Sequence, residues 1–426
     1  MAETKLVVEH REHLWNLLLQ ASQIEHLIMC QYLYASFSLK TGPDERLTAG
    51  QADAVARWHK VLTGIAVEEM LHLALVANVM SAIGAAPNLT RPNFPRPSEY
   101  LPAGVQFALL PFGDAALTHF LYLERPEGME RVDAEGFVPA APLSDPVTAG
   151  EIMPRRQEFT TVGHLYRGII EGLTGLAARL GEQALFPGPR RAQATPELFH
   201  WPQLIAVTGL DSACAAIEEI IEQGEGARGD WQPAHYGRFL GIWEEYRRLR
   251  EQDPDFEPAR PVIPAFTRQP FDVTEPQPLL TDPATRGVAE LFNLGYEVLL
   301  QVLTRFFTHT DETDEQLGAL VQAAFGLMGG VMRPLGTALT RMPAGPGHPG
   351  RTAGPVFEMY YQMGNFVPWR AAAWALLSER VAVLSGRCAD EAGRAGAPDA
   401  VAAAAQAAAA ISGQLAAQVP AELRPA

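Results

Sequence analysis

Residues 66–80 read AVEEMLHLALVANVM, and the position of charge in this apolar run decides the fold. Charged side chains are rarely fully buried unless they are paired or bound to metal. Positions 58, 62, 65, 69, 72, 76 and 79 step by three and four, so they form one stripe of an α-helix. They carry Trp58, Leu62, Ile65, Glu69, His72, Val76 and Val79. One carboxylate and one imidazole therefore share a core-facing stripe with five apolar residues. Glu68 lies about 100° round the helix from Glu69, at the edge of that stripe, as a supporting or surface group.

The preceding helix repeats the anomaly. Leu14, Leu18, Glu25, Met29 and Tyr32 share a largely apolar face, with Glu25 its one acid. Pairing of Glu69 with His72 alone would account for one helix. A third carboxylate on the core stripe of the adjoining helix favours a metal instead. A Glu-x-x-His step puts an oxygen and a nitrogen donor on one helical face, a mixed donor set that suits iron or manganese in a helical bundle. Buried carboxylates become favourable when they neutralise a divalent cation.

The rest of the chain fits an all-α reading. Two long helices are expected at about 9–39 and 52–83, with TGPDER as the connector. Residues 86–155 form a mixed excursion, with a candidate strand in GVQFALLPF and a short helix in DAALTHFLYLERP. Helical pattern returns at about 158–185, 212–223 and 235–250. Residues 253–287 are Pro-rich and lack helical period, so they read as a connector. Further helices are expected at 288–309, 314–340 and 354–385, then an Ala-rich terminal helix. The organisation is thus a metal-binding bundle over 1–252, the connector, and a second helical bundle over 288–426.

Composition narrows the partners. The chain has 426 residues, 47% of them hydrophobic, and a net charge of −16. No Lys/Arg-rich run occurs, so neither nucleic acid nor an anionic membrane is an expected partner. Three cysteines without a CxxC pair point to a reducing cytoplasm. The charged N-terminus is unlike a secretory signal, and no run of about 18 uninterrupted apolar residues suggests a membrane span. Gly224–Gly229 matches G-x-G-x-x-G but follows a helix, so dinucleotide binding is rejected.

A di-metal bundle needs a second group of ligands from two further helices. The third helix offers His164 and Glu171, seven apart on one face, in EFTTVGHLYRGIIEGL. The fourth carries Glu218 and Glu219, read as a solvated face, and Glu222 and Glu225, for which a site role and a surface role are equally open. His235 opens the next helical stretch and is placed to fold back with an imidazole.

IEHLIMCQYLYASFSLK (24–40), EEMLHLALVANVMSAIGAAPNL (68–89), TVGHLYRGI (161–169) and the IEQGEG…HYGRF pair (221–226, 235–239) resemble the ferritin-like proteins of the iminophenyl-pyruvate dimer synthase family. That domain also occurs in large enzymes that couple amino-acid-derived imines. The resemblance covers about residues 8–250. It implies a ferritin-like four-helix bundle with a non-haem metal centre. It carries the metal-ligand roles onto Glu25, Glu69, His72, Glu222 and His235. The third-helix position is usually a glutamate; here it is His164, a departure that bears on the second metal.

The function expected from this resemblance is a non-haem oxidase or oxygenase with one or two irons, manganese being the alternative. Glu69 and Glu222 are the expected bridging carboxylates, and Glu25, His72, His164 and His235 the terminal ligands. Dioxygen and a small amino-acid-derived substrate are the expected partners, in a possible homo-oligomer. The substrate enters, on this reading, through the 86–155 excursion. Iron storage and non-catalytic partner binding are the competing readings.

Overall fold

The computed structural model describes the chain except residues 1–4, 43–44, 98–105, 138–146, 152, 154, 227–229, 274, 361–366 and 424–426. It divides into two compact units: residues 1–88 with 95–259, and residues 89–94 with 260–426.

The first unit is built on α1 (Arg11–Ser38) and α2 (Ala49–Ala82). A two-residue antiparallel pair, β1 (Arg96–Pro97) and β2 (Gln106–Phe107), and α3 (Asp114–Leu123) follow. Next come α4 (Val162–Leu180), the single turns α5 (Glu182–Leu185) and α6 (Pro196–Phe199), then α7 (Leu210–Gly224) and α8 (His235–Gln252). Helices α1, α2, α7 and α4 pack in a closed ring, each against the next, and α8 packs on α3, α2 and α7. That ring is a four-helix bundle.

Local chemistry sets the ends of these helices. Thr48 and Gln51 form a reciprocal capping box at the start of α2. The Thr161 hydroxyl accepts from the His164 amide at the start of α4, and Gly181 takes φ 84° at its end, where a side chain would be strained. Both core stripes are buried over their whole length, including Glu25, Glu69 and His72. An 18-residue window of α2 is apolar enough for a membrane span, with mean hydropathy 1.4, but 83% of it is buried in the unit. The Ala-rich terminal helix also passes that test, with mean hydropathy 1.3 and 28% of its window buried.

The second unit holds α9 (Pro283–Phe307), α10 (Asp314–Gly326), a π-helical stretch (Leu327–Met332), α11 (Arg333–Leu339), α12 (Arg370–Ala392) and α13 (Asp399–Gln418). The helix expected over 314–340 is thus one rod interrupted by a π turn. Of the helix expected over 354–385, residues 354–360 are not helical, 361–366 lie outside the described residues, and α12 starts at Arg370. Pro355 and Pro368 lack N–H donors and disfavour helix in the residues before them.

The expected connector at 253–287 is divided between the units. Its second part is core material: Val262, Ala265, Phe266 and Leu280 are buried, and Val262 and Phe266 make β-bridges to Thr352 and Leu279. Hydrophobic residues among the prolines anchor what composition alone read as a spacer.

Candidate metal centre

Glu25 comes from the middle of α1, Glu69 and His72 from α2, Glu124 from the residue that ends α3, and His235 from the first position of α8. All five side chains are buried. Their ligand atoms fall into two triads, Glu25–Glu69–His72 and Glu69–Glu124–His235, within each of which the atoms lie no more than 4.8 Å apart. Glu69 belongs to both triads. His72 Nδ1 is 2.9 Å from Glu69 Oε2 and 3.3 Å from Glu25 Oε2. His235 Nδ1 is 2.9 Å from Glu69 Oε1 and 3.6 Å from Glu124 Oε2.

Each of the four ligands other than Glu69 has a second partner that fixes its orientation. His72 Nε2 lies 3.1 Å from Gln223 Oε1, an oxygen that only accepts, so this nitrogen keeps a proton and Nδ1, facing the two carboxylates, is the one that would give up its proton to a metal. His235 Nε2 lies 2.9 Å from Glu68 Oε2, which likewise leaves Nδ1 as the nitrogen turned to the centre. The Tyr166 hydroxyl donates to Glu25 Oε1 at 2.5 Å, and the Tyr32 hydroxyl donates to Glu124 Oε1. Each terminal carboxylate is thus held by one oxygen, with the other turned inward.

Electrostatics describe what this geometry costs without a cation. Burial, then repulsion from Glu69, pushes the Glu25 carboxyl up to about 8. Burial works to raise Glu69 too, but His235 and His72 outweigh it and hold Glu69 well below the ordinary carboxylate range. Burial disfavours a charged His72, yet Glu69 and Glu25 outweigh it and raise the imidazole to about 10. The same opposition, with Glu69 and Glu124 prevailing over burial, raises His235 well above its usual value.

The donor set fits a metal on an observation independent of charge. Glu25 Oε2, Glu69 Oε1 and His235 Nδ1 are buried and lack an aligned hydrogen bond, although they face other donors and acceptors at short range. Converging atoms without mutual hydrogen-bond alignment are what ligands of a common ion look like. They border a cavity of about 20 Å³, lined also by Ile28, Leu123 and Glu225, which has room for an ion or a water.

The sequence-derived ligand set is redrawn in two places. His164 lies outside the centre: its Nδ1 accepts from the Thr160 amide at 3.2 Å. It stands about 200° round α4 from Tyr166, the residue that faces Glu25. Glu222 is exposed, because the turn of α7 directs its neighbour Gln223 inward instead. Glu171, the alternative on α4, is exposed and pairs with Lys5 at 3.1 Å. Glu25, Glu69, His72 and His235 do come together. Glu124, which completes the second triad, was missed. Leu117, Phe120, Leu121 and Glu124 form a short stripe ending in an acid, the same signal that singled out Glu69.

Glu225 also reaches the cavity wall, where its Oε1 accepts from the Gly163 amide at 3.0 Å. A Cβ on Gly163 would stand 2.2 Å from that oxygen, so a larger side chain there would push the Glu225 carboxylate off the amide. Glu68 gives a quantitative check on the supporting groups. Its carboxyl is held at about 2, since hydrogen bonds from His235 and Arg238 outweigh burial. Glu68→Ala is expected to weaken metal binding by about 10–100-fold with the fold intact, measured by chelator competition and circular dichroism. Unchanged affinity would show that His235 needs no orienting partner.

A closed helical bundle enclosing a buried carboxylate–histidine centre defines the class. The chain belongs to the ferritin-like family, whose sequence model matches residues 18–244. It is 30% identical over 373 residues to dichlorochromopyrrolate synthase of Lentzea aerocolonigenes, covering 79% of this chain and 35% of that protein. It is 28% identical over 365 residues to 2-imino-3-(indol-3-yl)propanoate dimerase of Chromobacterium violaceum, covering 82% of this chain and 34% of that one. The chain spans about a third of the length of these curated relatives. Both names agree with the dimer-synthase resemblance read from the motifs. A ferritin-like protein from Caulobacter vibrioides aligns with 75% of this chain and 97% of its own, at 17% identity and a TM-score of 0.47.

Proposed function

We propose that this chain is a non-haem di-metal oxidase or oxygenase acting on a small amino-acid-derived substrate, with oxidative coupling of imines as the reaction class. The observation that carries the reading is the pair of buried triads sharing Glu69. Glu25 and His72 would hold one ion, Glu124 and His235 the other, with Glu69 between them. Three carboxylates with two imidazoles suit iron, or manganese. Bound there, the metal would supply the binding and reduction of dioxygen. The curated relatives support the substrate class, since one is named for an indolyl 2-imino acid.

The protein's own residues set the conditions for that chemistry. Gln223 and Glu68 fix both imidazoles, so neither ring must reorient as charge changes. Tyr166 and Tyr32 each hold a terminal carboxylate by one oxygen and leave the other free to move. The cavity of about 20 Å³ is far too small for an organic substrate. The substrate would therefore stay at the half-buried edge of the cavity, by Val162, Ile221 and Gly224, with water kept from the centre by Ile28 and Leu123.

The test is metal analysis followed by oxygen consumption. Two ions per chain and dioxygen uptake dependent on an aromatic 2-imino acid are expected. Less than about 0.2 metal per chain after anaerobic iron loading would sink the reading. Iron far above two per chain, with uptake indifferent to the imino acid, would make the protein an iron store instead.

A further inference from the structure

In the second unit, a groove of about 670 Å³ runs between the π-helical stretch with α11 and the start of α13. Arg333 opens α11 and Arg341 lies two residues beyond it; both line the groove and both are exposed. Neither guanidinium has a hydrogen-bond or ion-pair partner among the described residues. Arg305, Arg380 and Arg394 of the same unit pair with Glu312, Glu297 and Glu391, whereas the exposed Arg286 and Arg387, like Arg333 and Arg341, have no such partner among the described residues. What sets Arg333 and Arg341 apart is that they share one concavity, in a chain of net charge −16.

The surroundings favour an anion with an apolar body. Between the arginines the wall is Pro334, Ala338 and Met342, and across it stand Pro398 and Ala400 at the start of α13. Unbonded amides at a helix start favour negative charge. Asp399, the acid on that turn, is exposed and does not line the groove. The groove volume matches that of small-molecule sites, about 300–1,000 Å³. A π turn inside an α-helix is uncommon and often marks a functional site. Here it includes Gly329, which lines the groove, and Gly330, where an added Cβ would come within 2.7 Å of the Ala407 Cβ. The π turn thus brings the rod close to α13 just before Arg333.

We infer that the groove between α11 and the start of α13 binds a small organic anion, its acidic group held by Arg333 and Arg341 and its apolar body against Ala338, Met342 and Pro398. The two guanidiniums present the forked donors that carboxylate and phosphate accept. The site is separate from the metal centre, which lies in the other unit, and does not rest on the reaction proposed for it.

Fluorescence titration of the full chain with anilinonaphthalene sulfonate, an apolar body with one acidic group, tests this. Saturable binding of one dye per chain is expected. It should weaken at least about tenfold in the double variant Arg333→Gln/Arg341→Gln and with the groove filled by Thr337→Trp, and stay unchanged in Glu69→Ala. Both arginines are exposed and unpaired, so the double variant should melt as the wild type does. Displacement by indole acetate identifies a carboxylate ligand, and displacement by inorganic phosphate a phosphate one. Displacement by neutral indole alone, or dye binding within twofold of wild type in the double variant, overturns the proposal.

Discussion

Glu69→Gln is expected to remove both metal ions together, leaving less than about a tenth of wild-type metal per chain. Glu69 is the member common to the two triads, with one oxygen 2.9 Å from each imidazole. The amide keeps the shape but replaces an anionic ligand oxygen with an NH₂ group that cannot ligate. Two controls make the result specific. His164→Ala and Glu222→Gln should keep full metal, because His164 faces Thr160 and Glu222 faces solvent. Elemental analysis of the purified variants reads all three. Full metal in Glu69→Gln would refute the shared-ligand geometry. The pH dependence of wild-type loading has a definite sign. Without metal, Glu25 keeps its proton up to about 8 and His72 stays charged up to about 10. Metal must displace those protons, so affinity rises with pH, by roughly tenfold per unit for each proton released between pH 6 and 8.

Glu312→Ala is expected to destabilise the second unit by about 3–5 kcal/mol, more than any exposed substitution would. Arg305 and Glu312 form a buried ion pair, 3% and 0% exposed, with Arg305 Nε 2.5 Å from Glu312 Oε1. Glu312 also accepts from Trp374 Nε1 at 3.1 Å and from the Thr310 amide at 3.0 Å. Truncating the acid strands a buried guanidinium and two donors at once. For a unit of this size the loss corresponds to a drop in Tm of roughly 10 °C. The double replacement Arg305→Met/Glu312→Leu should recover much of it, since the cost lies in the unpaired charge rather than in the absence of a bridge. Thermal melts of both variants decide between these origins. Equal losses in the single and double variants would place the cost in packing instead.

The division between sequence and tertiary structure is sharpest along α2. Its three-and-four spacing alone put Glu69 and His72 on one buried stripe and Glu68 at its edge. The α1 stripe placed Glu25 in the same way. Helical period is a local property, so the bundle and half of its centre were legible before any contact was known. The ligands sought on α4 and α7 depended instead on which turn of those helices faces inward. On α4 and α7 several polar residues lie within one or two positions of each other, and each step turns the side chain by about 100°. His164 lost its place to Tyr166, and Glu222 to Gln223, because packing, not period, sets that rotation. Glu124 stood at the end of a ten-residue helix in the excursion, too short for its stripe to be persuasive. Only the packing of α3 on α8 brings it to His235. Likewise, nothing local announces that residues 260–287 bury Val262 and Phe266 within the second unit, or that a π turn brings α13 close to Arg333. Sequence by itself determined that this protein encloses carboxylates and imidazole in a helical core. Tertiary structure decided which of them meet, because ligation depends on atoms from four segments converging within a few ångströms.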